Sequence, residues 1–91
     1  MEVKIGKYIY SKSTRKGKKL MTTVNNKKVH FGAADMQHWK DKTGIWSKLD
    51  HGDKERRKSY LKRAKGIKNK KGELTYLNPE SANYHAVRIL W

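Results

Sequence analysis

The sequence contains no cysteine, a single proline and only eight acidic residues among its 91 positions. Without cysteine the chain has no disulfide scaffold, no cysteine zinc finger and no thiol nucleophile. No apolar run approaches the roughly 18–20 residues that span a bilayer, so we expect no transmembrane helix. The first twenty residues also lack the apolar stretch of a secretory signal, and we expect none. These absences exclude disulfide-stabilised and membrane-spanning proteins.

What the sequence has in excess is positive charge. It carries 23 Lys and Arg residues, and its formal net charge is +15 at pH 7. The excess lies in two blocks: residues 1–34 contain nine basic residues and one acidic residue, and residues 54–71 contain ten and one. The remaining segments are nearly neutral. If the two blocks converged on one face, they would form a positive surface that attracts polyanions.

Three Trp, five Tyr and one Phe are spread along the chain, and this distinguishes it from a disordered basic tail. We therefore predict one folded basic domain over residues 1–91, of the α+β class. Residues 1–32 are predicted to form a small three-stranded antiparallel meander. Residues 33–91 are predicted to be mainly helical, with a basic helix, a short hairpin and a C-terminal helix.

The meander is predicted from three β-prone segments. Lys7–Ser11 forms the first strand, Lys19–Val24 and Lys27–Phe31 form a hairpin around Asn25-Asn26, and Gly32 ends it. Asparagine tolerates the positive φ angles that a two-residue type I′ turn requires. The implied register pairs Val24 with Lys27, Thr22 with Val29 and Leu20 with Phe31. Alternation then gives the sheet one apolar face, made of Leu20, Thr22, Val29 and Phe31.

The basic helix is predicted between an aspartate and a glycine. Asp50 or Asp53 serves as its N-cap, the helix extends over Asp53–Lys65, and Gly66 ends it. Its narrow apolar stripe consists of Tyr60, Leu61, Ala64 and the stem of Arg57.

Weaker signals predict the elements around this helix. Ala33–Asp41 is predicted to form a short helix, and Thr43–Leu49 a single helical turn. Asn69–Gly72 is predicted to form the turn of a short hairpin, with Gly72 in the left-handed conformation. Asn78 as N-cap, with proline at the first helical position, predicts a C-terminal helix over Pro79–Leu90. This helix is the most apolar element and is expected to complete the core.

The basic residues of the central helix and of the loop at residues 11–19 are the predicted contacts to nucleic-acid phosphates. A charge run is ordinarily a solvated helix face. A net charge of +15 on 91 residues instead favours a polyanion, because binding releases its counterions. The loop residues are Lys12, Arg15, Lys16, Lys18 and Lys19, and the helix residues are Lys54, Arg56, Arg57, Lys58, Lys62, Arg63 and Lys65.

Other chemistry has weaker support in the sequence. Tyr8 and Tyr10 are the best candidates for stacking on unpaired bases, although both could equally pack inward. The loop at residues 11–19 lacks the spacing of a P-loop, which excludes nucleotide hydrolysis of that type. A set of histidines and aspartates could bind a divalent metal and cleave phosphodiesters, but its spacing matches no metal motif. That set is His30, Asp35, His38, Asp50, His51 and Asp53. We assign no catalytic residue, no metal and no other cofactor, and a metal-dependent nuclease stays a minor alternative.

Several short motifs follow one another over residues 15–91. A lysine-rich hairpin ends in His30-Phe31-Gly32, and His51-Gly52-Asp53 precedes a helix with the pattern R-x-x-x-Y-x-x-R. Arg56, Tyr60 and Arg63 supply that pattern, and Leu90-Trp91 forms an aromatic tail. This arrangement resembles a group of small basic proteins encoded by large eukaryotic DNA viruses of the chlorella-virus and mimivirus type. The resemblance implies a viral origin and a location in the host cytoplasm or nucleus, with packaging in the virion as an option. It supplies no catalytic residue.

Charge and resemblance together lead to one expected function. We expect a non-catalytic protein that binds nucleic acid largely independently of sequence, through Lys and Arg contacts to phosphates. In a large DNA virus, genome condensation or packaging is the natural task, so DNA is favoured and RNA stays open. The main alternative is a virion structural protein, of the minor capsid or core, whose cations bind acidic protein partners. Dimerisation would extend the small core, and no membrane partner is expected.

Overall fold

Four antiparallel strands form a single sheet in the order β1-β2-β3-β4 in the computed structural model, which describes residues 2–91. The strands are β1 (Glu2–Ile5), β2 (Tyr8–Lys12), β3 (Lys18–Val24) and β4 (Lys27–Ala33). The helices are α1 (Lys54–Ala64) and α2 (Ala82–Ile89), with single 3-10 turns at Ser47–Leu49 and Thr75–Leu77. The predicted α+β class is confirmed, with four strands where three were expected.

The additional strand is β1, which pairs with β2 through a turn at Gly6. Charged Glu2 and Lys4 alternate with apolar Val3 and Ile5, which is the pattern of a half-buried strand. Gly6 adopts a φ of 63°, and glycine reaches this left-handed conformation without steric cost. The predicted first strand began at Lys7, which lies in this turn, so β2 is displaced by one residue from its predicted position.

The central hairpin has the predicted turn and register. Asn25 and Asn26 adopt φ angles of 50° and 65°, the conformation of a type I′ turn. Leu20 pairs with Phe31, and both side chains are 0% exposed. The predicted apolar face is therefore the inner face of the sheet, and β4 continues one residue past Gly32 to Ala33.

The predicted helix over Ala33–Asp41 is wrong, and the region after the meander is less helical than expected. Residues 34–53 form turns that attach to the end of α2, where Lys40 N–H and Lys42 N–H donate to the carbonyls of Leu90 and Ile89. These hydrogen bonds satisfy carbonyls that the end of a helix leaves unpaired. Inside the segment, the Asp41 carboxylate accepts hydrogen bonds from three groups: Thr43 N–H, Thr43 Oγ1 and Trp46 N–H. Such side-chain bonds to nearby backbone compete with helix formation.

Helix α1 follows its predicted boundaries closely. The Asp53 carboxylate accepts hydrogen bonds from the backbone N–H groups of Glu55 and Arg56, so Asp53 is the N-cap. Tyr60 and Leu61 are half-buried and Ala64 is buried, as the apolar stripe predicted. The other predicted cap, Asp50, is instead engaged with His38.

Helix α2 begins at Ala82, three residues later than predicted. Asn78 and Pro79 lie in the preceding turn, and Ser81 caps the helix by accepting from Asn83 N–H. The buried residues Ala86, Ile89 and Leu90 pack against the inner face of the sheet and form the core with it. In the described residues, neither helix is long and apolar enough to cross a membrane.

Candidate nucleic-acid interface

The predicted cations of α1 are all on the surface. Arg56 and Arg63 lie within about 20° of each other around the helix axis, because seven residues make almost two turns. Lys54, Lys58 and Lys65 lie within about 40° of one another, on the other side of the apolar stripe from the two arginines. We call Arg56 and Arg63 the arginine edge and the three lysines the lysine edge. Lys62 lies next to the lysine edge, on the side of the helix that faces solvent. The exposed predicted residues of this block are Lys54, Arg56, Arg57, Lys58, Lys62, Arg63 and Lys65.

These cations are not neutralised by acidic side chains. Among residues 2–91 the one contact within 4.0 Å between a basic and an acidic side chain joins His38 and Asp50, whose nearest atoms are 2.5 Å apart. No Lys or Arg of the described chain takes part in such a contact. The positive charge is therefore left to solvent and counterions, which is the state from which a polyanion gains free energy by releasing them.

Two side chains of α1 attach it to the rest of the molecule at Trp91. The Arg57 guanidinium donates through Nε to the Trp91 carbonyl at 2.8 Å and lies 5.0 Å from the centre of the Trp39 ring. The Tyr60 ring stacks on Trp91 with centroids 4.0 Å apart and planes 8° apart. Arg57 was predicted as a phosphate contact, and these bonds give it a structural task as well.

The stacked pair is one end of a longer row of rings. His51 lies 5.2 Å from Trp91 and 6.4 Å from Trp39, measured between ring centroids. We call Trp39, His51, Trp91 and Tyr60 the aromatic column. It adds ring contacts between the irregular segment 34–53, Trp91 and α1.

A groove of about 290 Å³ lies between α1 and residues 36–37, at the Tyr60 end of the aromatic column. The arginine edge borders it, and the Arg56 Nη1 atom donates to Gln37 Oε1 at 2.8 Å. Met36 is 61% exposed at its border. The lining residues are Met36, Gln37, Glu55, Arg56, Ser59, Tyr60, Arg63 and Trp91.

The second basic block surrounds the loop between β2 and β3, residues 13–17, which we call the tip loop. The Ser13 hydroxyl accepts from Arg15 N–H at 3.0 Å and lies 2.7 Å from His30 Nδ1. Lys18 N–H donates to the Arg15 carbonyl, so the loop is held by its own hydrogen bonds. Four of the five cations predicted here are exposed, namely Lys12, Arg15, Lys16 and Lys18.

Lys19, the fifth predicted contact of this block, is not on the surface. It is 1% exposed, and its ammonium donates to the Met36 carbonyl at 2.5 Å. Burial lowers the pKa of Lys19, while the nearby carboxylates of Asp41, Asp35 and Asp50 oppose that shift. The buried amine cannot reach a phosphate, so its assignment to the interface is corrected.

Residues 34–37 contact both basic blocks. Ala34 N–H donates to the Gly17 carbonyl in the tip loop at 3.0 Å. The Met36 carbonyl accepts from Lys19, and Gln37 accepts from Arg56 of α1. The tip loop and the arginine edge are therefore attached to opposite ends of one four-residue segment.

The histidines and aspartates considered for metal binding do not converge. His38 is buried beside Asp50, while His51 Nδ1 accepts from the N–H of Asp53, which caps α1. Burial and the Lys19 charge lower the pKa of His38, against the hydrogen bond to Asp50 that raises it. His30 contacts Ser13 instead, and Asp35 is exposed. In residues 2–91 no group of three or more His, Asp or Glu residues is arranged to hold a metal ion.

Tyr8 and Tyr10, the favoured stacking candidates, are buried in the core. The Tyr10 hydroxyl lies 2.8 Å from Nδ1 of His85, a core histidine that the sequence did not single out. His85 Nε2 donates to the Pro79 carbonyl at 2.6 Å, so Nδ1 accepts from Tyr10. Burial lowers the pKa of His85 and raises the pKa of Tyr10 to about 12. Both rings stay uncharged near neutral pH and serve packing.

Sequence reasoning missed the groove itself. The spacing of Arg56, Ser59 and Arg63 by three and four residues indicates a shared side of the helix and was a usable signal. The stacking of Tyr60 on Trp91 has no comparable signal in the sequence, because 31 residues separate the two rings in the chain.

Comparisons of the chain with protein-family models, with curated proteins and with solved structures found no match. The functional interpretation therefore depends on the surface chemistry of this molecule.

Proposed function

We propose that this protein binds nucleic acid through phosphate contacts, largely without regard to sequence. The observation that carries the proposal is the surface of α1 and its C-cap Lys65, where seven exposed cations have no acidic partner among residues 2–91. Condensation or packaging of a viral genome is the task that the sequence resemblance adds, and DNA is the favoured polymer.

The tip loop supports the same proposal. Its exposed Arg15 and Lys16, with Lys12 and Lys18 at the adjoining strand ends, give a second set of cations. Backbone N–H groups and hydroxyls in such loops also contact phosphates, and contacts of this kind carry no sequence information. A polyanion that follows residues 34–37 would meet both sets.

The test is the salt dependence of binding to a labelled duplex of about 30 base pairs. For B-DNA, log K falls against log salt with a slope of about −0.9 for each neutralised phosphate. A variant of α1 that keeps Arg57, and with it the attachment to Trp91, changes four cations to glutamine. We expect it to flatten the slope by up to about 0.9 per lost contact and to raise Kd about tenfold or more. The substitutions are Arg56→Gln, Lys58→Gln, Lys62→Gln and Arg63→Gln.

The matched control removes the same charge from exposed lysines that are not among the predicted phosphate contacts. Its substitutions are Lys4→Gln, Lys27→Gln, Lys42→Gln and Lys48→Gln. An equal flattening of the slope in both variants would show that net charge alone governs binding and would remove the role of α1. If the unmodified protein binds no nucleic acid even at low salt, the proposal is wrong, and acidic protein partners become the leading explanation of the cations.

A further inference from the structure

We propose that the groove beside α1 receives an unpaired nucleotide, so that the protein prefers single-stranded nucleic acid to a duplex. This inference rests on the proposed function and deepens it by naming the form of nucleic acid. It depends on three features that line the same groove. They are the Tyr60 end of the aromatic column, the guanidinium groups of the arginine edge, and the hydroxyl of Ser59.

The aromatic column provides a surface on which a base can stack. Tyr60 and Trp91 both line the groove, and their parallel rings, with centroids 4.0 Å apart, give it an aromatic wall. Base–aromatic stacking contributes about 1–3 kcal/mol per base and tolerates any sequence, since every base has a π face. It therefore matches the absence of sequence readout in the proposed function.

The charges of the groove favour phosphates on either side of a stacked base. Arg56 and Arg63 are seven residues apart, about 10.5 Å along the helix, which is far enough for them to contact different phosphates of one strand. The Arg56 bond to Gln37 uses Nη1, so other donors of the planar guanidinium stay available. Glu55 also lines the groove and opposes a phosphate, but the two arginines outnumber it.

The groove has room for a single base, and an unpaired strand supplies one at less cost than a duplex does. Its volume of about 290 Å³ is near the lower end of the range for sites that bind one small ligand. A base within a duplex is stacked and paired, so it would have to leave the helix, at a cost of a few kcal/mol, to enter such a site. An unpaired strand does not have that cost.

The experiment compares two labelled probes of equal phosphate number, an oligothymidylate of about forty nucleotides and a blunt duplex of about twenty base pairs, which is long enough to stay paired. We expect the unmodified protein to bind the single strand more tightly, with quenching of its tryptophan fluorescence by the oligothymidylate. In Tyr60→Leu, we expect the ratio of the single-strand Kd to the duplex Kd to rise about tenfold, because a loosened α1 affects both probes and only the single strand also loses a stacked base. Tyr60→Phe keeps the ring and should restore single-strand binding.

A second variant keeps the aromatic column and fills the groove. Ser59 is exposed, so Ser59→Leu places a larger side chain in the groove without disturbing the core. We expect it to remove the single-strand preference with an unchanged melting temperature. Equal Kd values for the two probes in the unmodified protein, or equal weakening of both in Tyr60→Leu, would overturn this inference and leave phosphate binding intact. Failure of both probes to bind would overturn the proposed function together with it.

Discussion

The two basic blocks of this chain contain the same residue types on different scaffolds, and the scaffolds use them differently. In α1 every cation lies on the surface, because a narrow apolar stripe is all that the helix buries. In the hairpin block, Lys18 is exposed while Lys19 is buried, although they are neighbours in sequence. A run of lysines therefore does not define a surface until the neighbouring elements are placed.

The position of Gly32 explains the different behaviour of Lys19. Gly32 adopts a φ of 78°, and a Cβ atom built there would lie 2.8 Å from Leu90 Cδ1 and 3.2 Å from Lys19 Cβ. The missing side chain thus leaves room for both neighbours. The Lys19 stem passes along this space, and its ammonium reaches the Met36 carbonyl.

The largest expected change in stability comes from placing a side chain in the space beside Gly32. Gly32→Ala adds strain from the left-handed backbone and overpacking against Leu90, and we expect a loss of about 3–4 kcal/mol in the free energy of unfolding. Gly17→Ala in the tip loop is the control, because Gly17 also has a positive φ but no atom near its Cβ position. Its expected loss is about 1 kcal/mol. Denaturant unfolding followed by tryptophan fluorescence measures both, and equal losses would refute the crowding at Gly32.

The next largest effect distinguishes the buried Lys19 from its exposed neighbour Lys18. Lys19→Met removes a charge-assisted hydrogen bond in the interior, so the free energy of unfolding should fall by about 2 kcal/mol. Lys18→Met should change it by less than about 0.5 kcal/mol. On DNA the order reverses: Lys18→Met flattens the salt slope by up to about 0.9, and Lys19→Met leaves it unchanged. A salt slope that depends on Lys19 would return this lysine to the interface.

The smallest effect is a pH dependence confined to the tip-loop side of the interface. Burial lowers the pKa of His30, and the charges of Arg15, Lys28 and Lys18 lower it further. A bound phosphate would offset those charges and raise the pKa of His30 from its lowered value in the free protein, so binding takes up a proton and affinity increases as pH falls. Between pH 7.5 and 6.0 we expect Kd to fall about threefold, and His30→Gln to abolish the change. An unaltered pH dependence in His30→Gln would show that the proton binds elsewhere.

Local signals in the sequence predicted the elements that local chemistry determines. The Asn25-Asn26 turn follows from the φ preferences of asparagine, and the start of α1 follows from the side-chain acceptor of Asp53. Their boundaries agree with the structure because each depends on residues within a few positions.

The features that depend on contacts distant in sequence were not predicted. Residues 34–53 have the composition of a short helix followed by a turn, but besides the local bonds of Asp41 they are attached to the end of α2, about 40–50 residues later in the chain. The aromatic column likewise needs Trp91 to meet Tyr60 and His51. Half of the candidate site, the exposed cations, was therefore visible in the sequence, and the groove beside them was not.

The attachment of α1 to the rest of the molecule also determines how this helix comes apart. It is held mainly by Tyr60 and Arg57 against Trp91, and by Asn83 Nδ2 bonded to the Ala64 carbonyl. The core cluster of the sheet and α2 contains no residue of α1, and mutual repulsion of its cations favours release. We therefore expect α1 to open locally at a lower cost in free energy than global unfolding. A polyanion that neutralises the helix would oppose this opening, and slower amide exchange along α1 would accompany binding without any change in the sheet.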